Sequence, residues 1–189
     1  ARNGAGVEAS PTRQLVRAEL AAVGERVEHR GRSLDRCDAP CRRPAGPADV
    51  PMVRALIDEY CRWIDLDLTF QEIDAELDGL PGAYAPPGGI LLVGFIDDRL
   101  EGLVACRRWA DGICEMKRLY LVPAARGMGI GKALVELIVG EAARLGYAEM
   151  RLDTLSSMTG ALALYESFGF KPIPPYYDTP IKGTVFLSK

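Results

Sequence analysis

Along the chain, apolar residues recur at helical spacing in some stretches and cluster at strand length in others. Leu15, Val16, Leu20, Val23 and Val27 predict a helix from Thr12 to Arg30. Gly31 to Pro47 is rich in arginine, proline and glycine, has little to bury, and reads as irregular. Val53, Leu56, Ile57, Tyr60 and Trp63 predict a second helix. Asp49 is placed to cap it, with Pro51 in the first turn, where proline is tolerated. Thr69, with Glu72 three residues on, makes a capping box for a third helix that carries Ile73 and Leu77 and stops at Gly79 and Pro81. Tyr84 to Gly89 is a loop. A meander of three strands follows: Ile90 to Ile96, Leu100 to Trp109 and Ile113 to Val122. Asp97-Asp98-Arg99 and Ala110-Asp111-Gly112 turn them. Ile130, Leu134, Leu137, Ile138, Ala142 and Leu145 set a long helix from Gly129 to Leu145, closed by Gly146. A strand from Met150 to Leu155, a helix opened by Ser157 or Thr159 and ended at Gly169, and a strand around Thr184 to Leu187 complete the pattern.

Helices, a meander, then strand–helix–strand–helix–strand predict an α/β domain, a mixed central sheet with helices on both faces. The 189 residues are 48% hydrophobic and 26% charged, a composition that builds a real core. No run of eighteen apolar residues occurs, so no membrane span is expected, and no secretory signal is visible. Residues 1–44 differ from the rest: nine arginines, six acidic residues and no lysine give them +3, against −3 for the whole chain. They read either as a poorly ordered extension or as an arm for oligomerisation or targeting, with the folded domain at 45–189. The net charge argues against nucleic-acid binding. Five cysteines, an odd number without a repeating spacing, suit reduced thiols in the cytoplasm. Cys37, Cys41 and the single histidine, His29, are too few ligands for a metal site, so none is expected.

The chemistry concentrates between the third meander strand and the long helix, in Arg126-Gly127-Met128-Gly129-Ile130-Gly131-Lys132. Glycine opens backbone conformations closed to other residues and lets a ligand approach the main chain. The N–H groups at the helix start, with the helix dipole, favour an anion there, and Arg126 and Lys132 add positive charge. The stretch is a phosphate cradle. Its Gly-x-Gly-x-Gly-Lys spacing fits neither the dinucleotide fingerprint nor the P-loop, and Ala133 stands where the P-loop's hydroxyl would follow the lysine. That counts against a small kinase or similar nucleotide enzyme.

The glycine stretch resembles the acetyl-CoA motif of the GNAT acyltransferases, Arg/Gln-x-x-Gly-x-Gly/Ala. Ala161-Leu-Ala-Leu-Tyr165-Glu-Ser-Phe-Gly169-Phe170 resembles the family's Ala-x-x-Leu-Tyr-x-x-x-Gly-Phe, and Glu115 to Leu121 resembles its Glu-Leu-x-x-Leu-x-Val strand, with Leu121 for valine. The resemblance covers about residues 47–187. It implies a GNAT (acyl-CoA N-acyltransferase) fold with acetyl-CoA as co-substrate. The implied activity is direct transfer of an acetyl group to a primary amine of a small molecule or peptide. A non-catalytic acyl-CoA sensor on the same fold is the alternative.

By the resemblance, Arg126, Gly127, Met128, Gly129, Gly131 and Lys132 hold the phosphates, and the main chain of Leu119 and Leu121 pairs with the pantetheine arm. An N–H near Leu119 polarises the thioester carbonyl. Tyr165 protonates the departing thiolate, a sensible task for a phenol of pKa about 10. Glu115 matches the position that deprotonates the acceptor; its plain alternative is a surface-strand glutamate paired with Lys117 or Arg151. Met158 stands where relatives often carry an asparagine that contacts pantetheine, and Thr154 or Ser156 is available as a substitute. The acceptor side is expected around Tyr176, Tyr177, Arg151, Arg118 and the segment Phe70 to Tyr84. The details look like a bacterial subgroup whose acceptor the motifs leave open. Folds of this type often form homodimers, though no residue of the chain marks an interface.

Overall fold

The computed structural model describes residues 41–66 and 72–189. The helix predicted over Thr12 to Arg30 lies outside the described residues. The described chain runs β1 (Cys41–Pro44), α1 (Val50–Ile64), α2 (Ile73–Asp78), β2 (Ile90–Ile96), β3 (Arg99–Ala110), β4 (Ile113–Leu121), α3 (Ile130–Arg144), β5 (Glu149–Leu155), α4 (Thr159–Ser167), β6 (Lys171–Pro172) and β7 (Thr184–Ser188). Among the described residues the strands form one sheet in the order β1-β2-β3-β4-β5-β7-β6. β4 and β5 are parallel, joined through α3, and the other neighbours are antiparallel.

Turn chemistry holds the meander in register. Ile96 pairs with Arg99, so Asp97 and Asp98 form a two-residue loop at φ 47° and 61°. Two positive φ values make the kind of turn whose twist matches paired strands, and aspartate tolerates that region. Side chains then alternate between two cores. Leu92, Val104, Met116 and Leu152 pack with Ile130, Leu134 and Ile138 of α3 on one face. Leu91, Val93, Leu103 and Ala105 pack with Val53, Leu56 and Ile57 of α1 and Ile73 and Leu77 of α2 on the other. Helices therefore cover both faces, as the pattern predicts. No described helix is long and apolar enough to cross a membrane.

Four details differ from the sequence expectations. The sheet begins at Cys41, inside the stretch that reads as an extension: β1 lies on β2 with Arg42 opposite Gly94 and Pro44 opposite Leu92. Four residues with two arginines and a proline carry no strand pattern, and their conformation comes from the neighbouring edge, a position proline tolerates. Asp49 precedes α1 without capping it. Its carboxylate accepts instead from the Gly46 N–H at 2.6 Å and from both terminal nitrogens of Arg43 at 2.6 and 2.7 Å, tying β1 to the turn before the helix. Thr69 lies outside the described residues, while Glu72, the expected third position of its capping box, directly precedes α2 at φ 53°. Finally, Leu137 and Leu145 are exposed; the buried apolar side chains of α3 are Ile130, Leu134, Val135, Ile138 and Ala142.

Candidate active site

The parallel pair β4–β5 is short. Ile113 pairs with Glu149, Cys114 with Met150 and Glu115 with Arg151. Beyond that point β4 continues along β3 to Leu121 and β5 along β7 to Leu155, so the sheet forks. A bulge accompanies the fork. Leu103 and Ala105 of β3 face Tyr120 and Lys117, which leaves β4 one residue longer over the same span, and Arg118 sits in it at φ 58°. An extra residue bends its strand and re-aims side chains. Past Glu115, the β5-facing edge of β4 has no strand partner, and such an edge is a template for an extended ligand. The fork opens into a cleft of about 850 Å³.

The start of α3 borders this cleft. Gly127 and Gly129 both take φ 80°, and Gly129 is the residue before the helix, with no side chain capping the first turn. The N–H groups of that turn have no acceptor within the helix. A Cβ added at Gly127 or Gly129 would meet nothing within 4 Å, so the space above the turn is open. Gly131 serves packing instead: a Cβ there would lie 2.9 Å from Leu121 Cδ1. Leu119, Leu121, Arg126, Gly127, Gly129, Gly131 and Lys132 all line the cleft. Met128 does not, and its side chain stands 56% exposed. Arg126 donates from Nε to the Leu121 carbonyl at 3.2 Å and lies 4.5 Å over the Trp63 ring. Trp63, read from periodicity as part of the α1 stripe, is thus a cleft residue together with Tyr60. An anion-binding turn, an open strand edge and an apolar wall suit an acyl-CoA along the fork.

Tyr165 lines the same cleft from α4, buried, with its ring edge-on to Phe170 at 5.7 Å. Burial, reinforced by Tyr60 and the Asp153 charge, pushes its phenol well above the ordinary value of 10.0, so it carries its proton at neutral pH. Met158 precedes α4, and its sulfur accepts from the Thr154 hydroxyl at 3.6 Å. Of the two expected substitutes for the asparagine, Thr154 lines the cleft and Ser156 does not.

Glu115 is 1% exposed, which overturns its reading as a surface glutamate. Its Oε2 accepts from Arg107 Nε at 2.8 Å and lies 2.7 Å from Arg107 Nη2. Its Oε1 accepts from the Tyr176 hydroxyl at 2.9 Å and lies 3.8 Å from Lys117 Nζ. Arg151, the other expected partner, pairs with Glu149 and lies over the Tyr176 ring. Glu115 faces a smaller pocket of about 210 Å³, beside the cleft, that Trp109 and Tyr177 wall on the aromatic side. Lys117 and Arg118 line both cavities. Arg118 forks onto Glu76 of α2 at 2.7 and 2.9 Å. Burial alone would raise the Glu76 carboxyl, but the Arg118 hydrogen bonds and charge outweigh it and hold it below its ordinary value. Lys117 Nζ donates to Asp153 Oδ1 of β5 at 2.9 Å. The motifs point to Tyr176, Tyr177, Arg118 and Arg151 here; Asp153 lies inside the stretch Arg151-Leu-Asp-Thr-Leu, which resembles the subgroup without marking a role for it, and Arg107 and Trp109 carry no motif signal. Among the described residues no group of three His, Cys, Asp or Glu side chains is placed to hold a metal ion.

The sequence profile of the Acetyltransferase (GNAT) family matches residues 50–170. An uncharacterized N-acetyltransferase of Schizosaccharomyces pombe is 42% identical over 143 residues, which are 75% of this chain and 88% of that protein. The likeness is therefore not confined to bacteria. The fold is shared with a GNAT-family acetyltransferase of Staphylococcus aureus Mu50 at TM-score 0.68 and 16% identity, over 80% of this chain and 98% of the other. It is shared too with the PaiA N-acetyltransferase of Thermoplasma acidophilum, solved in complex with coenzyme A, at TM-score 0.63 and 20% identity, over 80% and 98%. A forked sheet with a glycine-started helix at its cleft, a profile match over most of the domain and a close fungal relative agree: the chain belongs to the GNAT family, an acyltransferase whose donor is acetyl-CoA.

Proposed function

We propose that the protein moves the acetyl group of acetyl-CoA onto a primary amine of a small molecule or peptide by direct attack, with Tyr165 as the proton donor. The observation that carries this reading is the fork: one cleft is lined by the glycine turn, the unpaired edge of β4 and the Tyr165 ring. Acetyl-CoA supplies a thioester already activated toward attack. The first-turn N–H groups of α3, with Lys132 and Arg126, would hold its phosphates. Main-chain groups of Leu119 and Leu121 would pair with the pantetheine arm as an added strand. An N–H beyond the bulge, near Leu119, is the donor for the developing oxyanion, a contribution typically of about 100- to 1,000-fold in rate. Tyr165 keeps its proton until a thiolate departs, then gives it up.

The test is thiol release from acetyl-CoA across a panel of primary amines, with Tyr165→Phe beside the wild type. The expected result is amine-dependent release that falls about 100-fold in kcat in Tyr165→Phe, with KM for acetyl-CoA unchanged. Saturable acetyl-CoA binding with no release for any amine would establish the sensor reading instead. No binding would sink both.

A further inference from the structure

Where β4 and β5 part, an ion pair bridges the gap. Lys117 and Asp153 each lie two residues beyond the last paired residues, Glu115 and Arg151. Lys117 Nζ is 2.9 Å from Asp153 Oδ1, and the two side chains are 7% and 18% exposed. Asp153 lines the acetyl-CoA cleft, and Lys117 lines both that cleft and the smaller pocket. The pair stands where the two cavities meet.

Among the described residues Asp153 is also the sole acid lining the cleft, against Lys117, Arg118, Arg126 and Lys132. The other carboxylates nearby serve elsewhere. Glu115 is held by Arg107 and Tyr176, Glu76 is forked onto Arg118, and Asp178 lines only the smaller pocket. Around Asp153 lie phenols from three segments: Tyr60 on α1, Tyr165 on α4, and Tyr176 and Tyr177 before β7. Burial raises all four, and the Asp153 charge adds to each rise. Lys117, Arg118 and Glu115 on β4, Arg107 on β3, Glu76 on α2 and Arg151 on β5 are the other charged groups of this cluster. The Tyr177 hydroxyl is buried against the Asp153 carboxylate, and the hydrogen bond between them adds to the rise of that phenol.

The geometry points to Asp153 as the base that takes the proton of the acceptor ammonium, an inference that rests on the acetyl-transfer reading above. An ammonium has no lone pair, so one N–H proton must leave first, and the Asp153 carboxylate accepts it. The freed pair forms the C–N bond at the thioester carbonyl carbon. The C–S bond breaks, and the thiolate takes the Tyr165 proton, which the second proton leaving nitrogen replaces. Asp153 then passes its proton to water. Ammonium and thioester become amide, thiol and one released proton. Lys117 fixes the carboxylate at the junction of the cavities.

Two small acceptors separate this role from a structural one: methylamine, an ammonium at neutral pH, and hydroxylamine, a neutral base there. Thiol release at saturating acetyl-CoA is measured for the full chain and for Asp153→Asn, Asp153→Glu and Glu115→Gln, with the enzyme-free rate subtracted. The expected result for Asp153→Asn is a methylamine-to-hydroxylamine rate ratio about 100-fold below wild type, with methylamine turnover recovering as pH rises. Asp153→Glu keeps the wild-type ratio, and both variants keep the rise in melting temperature with acetyl-CoA. An unchanged ratio in Asp153→Asn overturns the assignment, as does a ratio shift confined to Glu115→Gln, which would move the base there. Loss of the melting shift in Asp153→Asn overturns it as well, leaving Asp153 to hold the fork together. Where the wild type turns over neither, the same comparison is made on whichever amine of the panel is turned over, at pH values below and above that amine's own pKa; a wild type that turns over no amine of the panel sinks acetyl transfer, and this inference with it.

Discussion

Leu121 shows how a contact that looks purely main-chain depends on a side chain. The resemblance gives Leu121 a backbone role that tolerates substitution, yet its side chain is pinched from two sides. A Cβ on Gly102 would stand 2.4 Å from Leu121 Cδ2, and one on Gly131 2.9 Å from Leu121 Cδ1. Gly131 is therefore kept for space rather than for backbone freedom, unlike Gly127 and Gly129, whose φ of 80° demands glycine. Overpacking at such a site typically costs about 1–3 kcal/mol. Gly102→Ala, whose Cβ would also meet the Tyr120 carbonyl oxygen at 3.1 Å and Leu134 Cδ1 at 3.4 Å, is expected to lose stability of that order in urea unfolding. Leu121→Val, which restores the residue of the family strand, removes one methylene and recovers part of the loss. Additive effects of the two substitutions would disprove the contact, since neighbours in contact couple.

At the scale of elements, β4 makes fold and site inseparable. The bulge residue Arg118 anchors α2 through Glu76, and both side chains are nearly buried, at 3% and 13% exposure. Breaking a buried pair by removing one partner costs about 3–5 kcal/mol, because the other charge stays desolvated. Glu76→Gln, which keeps the shape, is expected to lose much of that at neutral pH. The depressed carboxyl also sets a sign. Its contribution is present above the ordinary value of 4.5 and lost as pH falls through the lower folded value, so the wild type weakens in acid and Glu76→Gln weakens less. Parallel acid slopes in urea unfolding would rule out the linkage. The bulge also marks where reading the sequence stops working. Turn residues and the 2.0 and 3.6 periods locate β2, β3, β4 and α3 within a residue or two, because backbone chemistry is local. Register is not local. From the Ala110–Ile113 pair, straight counting sets Arg107 opposite Met116; an irregularity between Arg108 and Ala110 moves it opposite Glu115. The one sequence trace of the other bulge is Lys117-Arg118, two polar residues in succession inside an apolar strand. The burial of Glu115 and the Lys117–Asp153 bridge both follow from that register, so the residues along the cleft and the tyrosines of the smaller pocket were legible as residues, while the partners of Glu115, Lys117 and Asp153 were not.

For the described molecule as a whole, the fork means that two half-sheets meet through three residue pairs. β1 to β4 carry one half and β5, β7 and β6 the other, with Lys117–Asp153 spanning the gap just past the junction. α3 and the core beneath it pack across both halves, since Leu92, Met116 and Leu152 share that core. A ligand that adds a strand between β4 and β5 would complete the sheet, and its effect on stability should be regional. At a hundredfold excess over its Kd, acetyl-CoA stabilises the folded state by about 2.7 kcal/mol. For a chain of this size each kcal/mol moves Tm by about 2–4 °C. ATP, which lacks the pantetheine arm, should give a far smaller shift. In hydrogen exchange the slowing should concentrate at those residues of Met116 to Leu121 whose N–H faces away from β3, and at Gly127 to Gly131 around the helix start, and leave the β2–β3 hairpin unchanged. Slowing spread evenly over β2 and β3, or a melting shift equal for ATP, would put the ligand outside the fork and remove the geometric basis of the mechanism.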